Sequence, residues 1–275
     1  LDSRGRAVCL QNLDAAFGNA HTTSEKSRIA EKSYQTFART MLELFWSPNL
    51  TPEIMRKRFR SSGLPAVSEG TPCIYVTSHF SNFEWLSLNT PSYIGPGVVV
   101  AQKLANPLLG AYFDQLRSST GHKIIPQKRS IAKMLAHLRQ GGYFCAMVDL
   151  NLDPSKASVI IDQFDGLKTS VTQIHAALAL HTGAKVVIGE CIPRNDGAYE
   201  MIYHKPLEFD AESTPATVAQ KCWDILEAGI RKHPELWLWS YKHWRFRPEG
   251  DSRYPAYANH AKRFDAAIRR QSCNP

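Results

Sequence analysis

The segment Cys73-Ile74-Tyr75-Val76-Thr77-Ser78-His79-Phe80-Ser81-Asn82-Phe83-Glu84-Trp85 carries a strand, a turn and the start of a helix within thirteen residues. Its first five residues are apolar or β-branched and too few for a helix, so they read as a short buried strand. A polar cluster follows, and then Phe83, Trp85, Leu86 and Leu88 open an apolar pattern of helical spacing. A strand that empties through polar residues into a helix is the building unit of an α/β sheet. Such sheets bind ligands beyond the carboxyl ends of their strands.

Working outward, strand candidates at 97–101, 123–126, 143–148 and 184–192 alternate with helix candidates near 82–89, 107–119, 129–140 and 170–182. That alternation predicts an α/β fold with a central mixed, mostly parallel sheet flanked by helices. The turn Arg194-Asn195-Asp196-Gly197 holds an Asp-Gly step, which favours a hairpin, so 199–204 is expected to return as an edge strand. A last amphipathic helix, 214–232, turns Val218, Cys222, Ile225, Leu226 and Ile230 inward. Upstream, Ile29, Tyr34, Phe37, Met41, Leu44 and Phe45 recur at helical spacing through 24–46, Ser47-Pro48 stops the run, and a basic helix covers 51–60. No repeat or linker divides the chain. The expectation is a single domain over 1–275, with a helical N-terminal subdomain at 1–70 and an α/β core at 71–275.

The 275 residues carry a net charge of +8, which attracts anionic lipid headgroups, an acidic carrier protein or nucleic acid without choosing among them. Cysteines at 9, 73, 145, 191, 222 and 273 lack paired spacing and read as free thiols, as in a reducing compartment. His122, His175, His181, His204 and His260 show no metal-ligand spacing, so no metal site is expected. There is no phosphate-cradling glycine loop and no Gly-x-Ser-x-Gly elbow. No run approaches the roughly 18 apolar residues of a membrane span. The chain starts at Leu1, which leaves room for a native N-terminal segment, and such a segment could be an anchor.

His79 and Glu84 are the candidate chemistry. On one continuous helix, five steps of about 100° would set them on different faces, so the chain has to turn between them. With His79 at the strand end and Ser81 or Asn82 capping the helix, Glu84 falls in the first turn and can reach back. A neutral imidazole beside a carboxylate is what proton removal from an attacking hydroxyl needs. Spacing alone leaves a plainer alternative open, in which His79 satisfies a loop carbonyl and Glu84 caps a helix.

Four ordered blocks lift the first reading. They are His79-Phe80 to Glu84; Val99-Val100-Ala101-Gln102-Lys103-Leu104-Ala105-Asn106-Pro107 on to Arg117 and Gly121; Gly141-Gly142, Val148-Asp149-Leu150-Asn151 and Phe164-Asp165-Gly166 with Thr172; and Pro234-Glu235-Leu236-Trp237-Leu238-Trp239 through Trp244-Arg245-Phe246. Together they resemble the lipid A biosynthesis lauroyl/myristoyl acyltransferase family within the glycerolipid acyltransferase superfamily. Three positions depart from the family pattern: Gln102 stands where an arginine is usual, Leu150 where glutamine is, and Asp165 where a second phenylalanine is.

The resemblance implies an O-acyltransferase with His79 as general base and Glu84 orienting it. The substrate-binding residues would be Asn82, Gln102, Lys103, Asn106, Arg117, Asp149 and Arg194. It further implies an acyl carrier protein or acyl-coenzyme A thioester as donor and co-substrate, no cofactor, and a lipid A precursor-like or lysolipid acceptor in an anionic membrane. Nucleic acid is not an implied partner, and the oligomeric state stays open. The expected location is the cytoplasmic face of the bacterial inner membrane, peripheral or anchored. An acyl-thioester hydrolase and a non-catalytic lipid-binding protein are the alternatives.

Local sequence offers a second role for several of these residues. Arg117 could be a solvated helix-end cation and Asp149 a loop anchor. Trp237 and Trp239 read as core with Arg245 and Arg247 outside, while Arg56-Lys57-Arg58 could face a membrane. Phe80, Phe83 and Trp85 divide between core and an acyl groove.

Overall fold

The computed structural model describes residues 2–63, 70–102, 104–154 and 157–273. Its helices are α1 (Ser3–Phe17), α2 (Thr23–Trp46), α3 (Pro52–Arg58), α4 (Phe83–Asn89), α5 (Pro91–Ile94), α6 (Pro107–Arg117), α7 (Ile131–Arg139), α8 (Ile174–Thr182), α9 (Pro215–Lys232) and α10 (Lys262–Cys273). Its strands are β1 (Phe59–Ser62), β2 (Cys73–Thr77), β3 (Val98–Ala101), β4 (Lys123–Pro126), β5 (Tyr143–Met147), β6 (Ser158–Gln163), β7 (Leu167–Thr172), β8 (Lys185–Pro193), β9 (Tyr199–Tyr203), β10 (Phe246–Arg247) and β11 (Asn259–His260). Two compact units divide the chain. One comprises Leu1–Phe37, Val148–Ala177 and Phe209–Pro275, the other Ala38–Met147 and Leu178–Glu208.

The second unit holds the seven-stranded sheet, in the order β1-β9-β8-β2-β5-β3-β4. Every neighbouring pair is parallel except β8 with β9. The mixed, mostly parallel sheet anticipated from the sequence is therefore present. β2 lies at its centre between two parallel partners, which explains why Cys73, Ile74 and Val76 are fully buried and the strand has no polar face. The core around it joins Phe59, Tyr75, Trp85, Leu86, Tyr143, Cys191 and Tyr203. α4 packs on β8. Gly189 gives it room, because a Cβ there would stand 3.1 Å from Leu86 Cδ2.

The predicted hairpin forms: Arg194 N–H donates to the Ala198 carbonyl at 2.8 Å and Gly197 N–H to the Arg194 carbonyl at 3.1 Å. β9 is not the edge, however. β1 pairs with its outer side, Phe59 opposite Tyr199 through Ser62 opposite Ile202.

In the first unit, β6 and β7 form an antiparallel hairpin, so the helix expected at 170–182 begins only at Ile174. Phe164 and Asp165, at the hairpin turn, have φ of 40° and 61°. The Phe164 ring enters a cage of Trp223, Trp237, Trp239 and Trp244 at centroid distances of 5.8 to 6.0 Å. The last three indoles are fully buried, and Arg245 is exposed, in keeping with a core role for the tryptophans. Asp165 points out and pairs with Arg231 at 3.1 Å. α1 joins the same unit through Asn12, whose amide donates to the carbonyls of Trp239 and Tyr241, both at 2.7 Å. Among the described residues, no helix is long and apolar enough to cross a membrane.

Candidate active site

The chain leaves β2 at Thr77, turns, and enters α4 at Phe83, as the argument from helical spacing required. Two local features make the turn. Phe80 N–H donates to the Ser78 carbonyl at 2.7 Å, and Ser81 takes a φ of 50°, in the left-handed region that side chains seldom adopt. That conformation is held from outside, since Thr40 Oγ1 on α2 donates to the Ser81 carbonyl at 2.9 Å.

Asn82 caps α4, its Oδ1 accepting from Trp85 N–H at 2.9 Å. Its amide nitrogen donates to Glu43 Oε2 at 2.5 Å, and Tyr199 O–H donates to the same oxygen at 2.6 Å. Trp85 Nε1 donates to the Glu43 carbonyl at 3.0 Å. Asn82 is 1% exposed, and in this structure its side chain serves as a helix cap and as a donor to Glu43. Sequence reasoning missed Glu43. Its signal is an acid on the helical face of Thr40, Leu44 and Ser47, which are all buried.

His79 is half-buried, its ring edge-on to Phe83 at 5.2 Å. Glu84 lies in the first turn of α4 and is 5% exposed. Its carboxylate is gripped by Arg117 from the end of α6: Nε donates to both oxygens at 3.2 and 3.1 Å, and Nη2 to Oε1 at 2.6 Å. Burial works against the charge on Arg117, but the hydrogen bonds and charge of Glu84 outweigh it, and the net effect raises its pKa. Arg117 is therefore not a solvated helix-end cation.

The other expected site residues make local contacts of their own. Asn106 caps α6, Oδ1 accepting from Leu108 and Leu109 N–H at 3.0 and 3.2 Å. Gln102 is exposed just past β3, and Lys103 lies outside the described residues. Arg194 sits in the β8–β9 turn against its own hairpin's acids, 3.7 Å from Asp196 and 3.6 Å from Glu200. Asp149 belongs to the first unit, buried, where Oδ2 accepts from Trp237 Nε1 at 3.0 Å and His243 stacks on that indole at 3.8 Å. That is the loop-anchor role.

Phe80, Phe83 and Trp85 are all buried, Trp85 within the core cluster and Phe83 against the His79 ring. The cavity between α4 and the sheet, walled by Phe83, Leu86, Cys145 and Tyr203 among others, has a volume of about 20 Å³, room for one water and not for an acyl chain. Among the described residues, one group of side chains approaches a metal-ligand geometry. It consists of Glu249, His260 and Asp265 in the first unit, with ligand atoms within 4.8 Å of one another and His260 already 2.7 Å from Asp265.

The family model of bacterial lipid A biosynthesis acyltransferases matches residues 1–246. The chain belongs to that family. No curated protein matches it. Among solved structures, the 1-acyl-sn-glycerophosphate acyltransferase PlsC from Thermotoga maritima is similar over 83% of this chain and 97% of its own, with 14% identity and a TM-score of 0.42. Membership makes the chain a lipid acyltransferase, whose block at 79–84 lies at the carboxyl end of the sheet's central strand.

Proposed function

We propose that this acyltransferase moves a fatty acyl group from an acyl carrier protein or coenzyme A thioester to a hydroxyl of a lipid acceptor, of lipid A precursor or lysolipid type. Support comes from one observation: His79 stands at the mouth of the central strand while Glu84, five residues on, is fixed by the Arg117 fork. His79 in its neutral form takes the acceptor's hydroxyl proton as that oxygen attacks the thioester carbonyl. The tetrahedral intermediate collapses by breaking the C–S bond, and the departing thiolate recovers the proton from the imidazolium. No acyl-enzyme is needed.

Glu84 orients and stabilises the imidazole in this scheme. A carboxylate offers about four lone-pair directions, and Arg117 does not exhaust them, so Glu84 can hold an imidazole N–H while its own rotamer is locked. The reaction is assigned to the cytoplasmic face of the bacterial inner membrane, where a soluble carrier and a lipid acceptor meet; the +8 charge suits an anionic surface and an acidic carrier alike.

The test is incubation of the purified protein with labelled acyl carrier protein and a total membrane lipid extract, followed by mass spectrometry of the lipid fraction. A new ester of a hydroxylated lipid supports the reading. Free fatty acid without acceptor consumption would assign a hydrolase instead, and lipid binding without turnover a non-catalytic protein.

A further inference from the structure

The second unit exposes an unusual amount of large apolar surface on two of its helices. On α2, Leu42 is 70% exposed, with Phe45 and Trp46 beside it; on α6, Leu108 is 84% exposed, with Leu109 and Tyr112. At about 100° per residue, Arg39, Leu42, Phe45 and Trp46 share roughly a third of the α2 circumference. By the same rule Leu108, Leu109 and Tyr112 form one stripe on α6, with Asp114 on the opposite side. The two stripes are one surface, because Phe45 stacks on Tyr112 at 5.9 Å and meets Phe113 edge-on at 5.6 Å.

Cations rim this surface. Arg58 at the end of α3 lies over the Trp46 ring at 5.9 Å, and Arg56 and Lys57 beside it are exposed, against one acid, Glu53, on the same helix. Apolar patches of this kind on a folded protein mark an interaction surface. Exposed leucines on both helices, Trp and Tyr rings between and beside them and guanidinium groups at one edge supply the groups that a bilayer interface takes up: acyl chains, carbonyl zone, phosphates. An acidic protein partner would instead be met by cations at the centre.

We propose that the α2–α6 face, with α3 at its rim, docks the protein on an anionic bilayer. The assignment rests on the lipid acyltransferase reading above, since that bilayer is the source of the acceptor.

Co-sedimentation with vesicles of phosphatidylcholine alone, and of phosphatidylcholine and phosphatidylglycerol in equal parts, tests it. The protein should pellet with the mixed vesicles, more weakly with the neutral ones, and the Leu42→Glu/Leu108→Glu variant should lose on the order of tenfold or more in partitioning. Leu108→Gln serves if the double variant fails to fold by circular dichroism. Unchanged pelleting of the variant overturns the proposal. So does a protein dimer that the variant converts to monomer, or a lost affinity for acyl carrier protein, with vesicle binding intact. His79→Ala should bind vesicles normally, and the leucine variant should acylate a detergent-dispersed acceptor normally, so failure of the docking surface and failure of the catalytic reading give different results.

Discussion

Arg117 Nη2 lies 2.6 Å from Glu84 Oε1, and Nε reaches both carboxylate oxygens, which makes this a two-point grip between residues 33 apart in sequence. Glu84 is 6% exposed at its side chain and Arg117 24%. Removing Arg117 leaves a carboxylate buried without its cation, a change that costs about 3 kcal/mol in comparable buried pairs. Arg117→Ala should therefore lower the denaturation midpoint and, by freeing the Glu84 rotamer, reduce kcat by about a hundredfold. Arg117→Lys restores the charge without the planar fork, so it should recover most of the stability and little of the rate. Urea titration and acylation kinetics on the same samples check both halves.

His79→Ala should separate chemistry from folding in the other direction. The ring is half-buried, at the end of β2 and outside the buried core, so the unfolding midpoint should change less than it does on removal of Arg117. Loss of a general base should lower kcat by about 10² to 10⁴ with KM nearly unchanged. Retained turnover in this variant would remove His79 from the mechanism.

Asn82 holds Glu43 on one side and the first turn of α4 on the other. Asn82→Ala removes a helix cap and one donor to a carboxylate, and should destabilise by about 1 to 2 kcal/mol. Asn82→Asp is the sharper test. Aspartate caps a helix as well as asparagine does, yet here it would set a second carboxylate against Glu43 Oε2, so it should be more destabilising than alanine. If Asn82→Asp folds as stably as the parent and only KM rises, the side chain touches substrate instead.

The inner strands were readable because burial on both faces writes a continuous apolar run: β2 matches its predicted bounds, β3 and β5 differ by a residue at one end and β8 by a residue at each, while the edge strand β4 also matches, its Ile124-Ile125 pair carrying the signal. What escaped depends on distant partners. β1 is Phe-Arg-Ser-Ser, a polar tetrapeptide that becomes a strand only by pairing with β9 some 140 positions later. The β6–β7 hairpin turns through Phe164 and Asp165 with positive φ, and only Gly166 among the three announces a turn, so the apolar residues after it merged into the following helix. At the site, the order strand, turn, cap and Glu84 was legible from helical geometry. Arg117 on Glu84 and Glu43 under Asn82 were not, because each contact joins helices whose separation in sequence hides it.

His175, on α8, provides a pH test of the fold. It is 1% exposed, and neither ring nitrogen has a hydrogen-bond partner among the described residues. Desolvation lowers its pKa from 6.5 to about 4. In the unfolded chain the ring takes up a proton near pH 6.5, and in the folded chain only near pH 4. Stability is therefore full above pH 6.5, falls as the pH drops from 6.5 towards 4, and is flat in this term below that. A shift of that size corresponds to about 3 kcal/mol lost across the window. His175→Leu should flatten the pH dependence of unfolding free energy between pH 7 and pH 4 by about that amount, and should also gain stability at pH 7.5 by removing two buried nitrogens without partners. Urea denaturation of parent and variant at four pH values measures the difference. Equal slopes in the two proteins would mean that the ring is hydrated in the folded state.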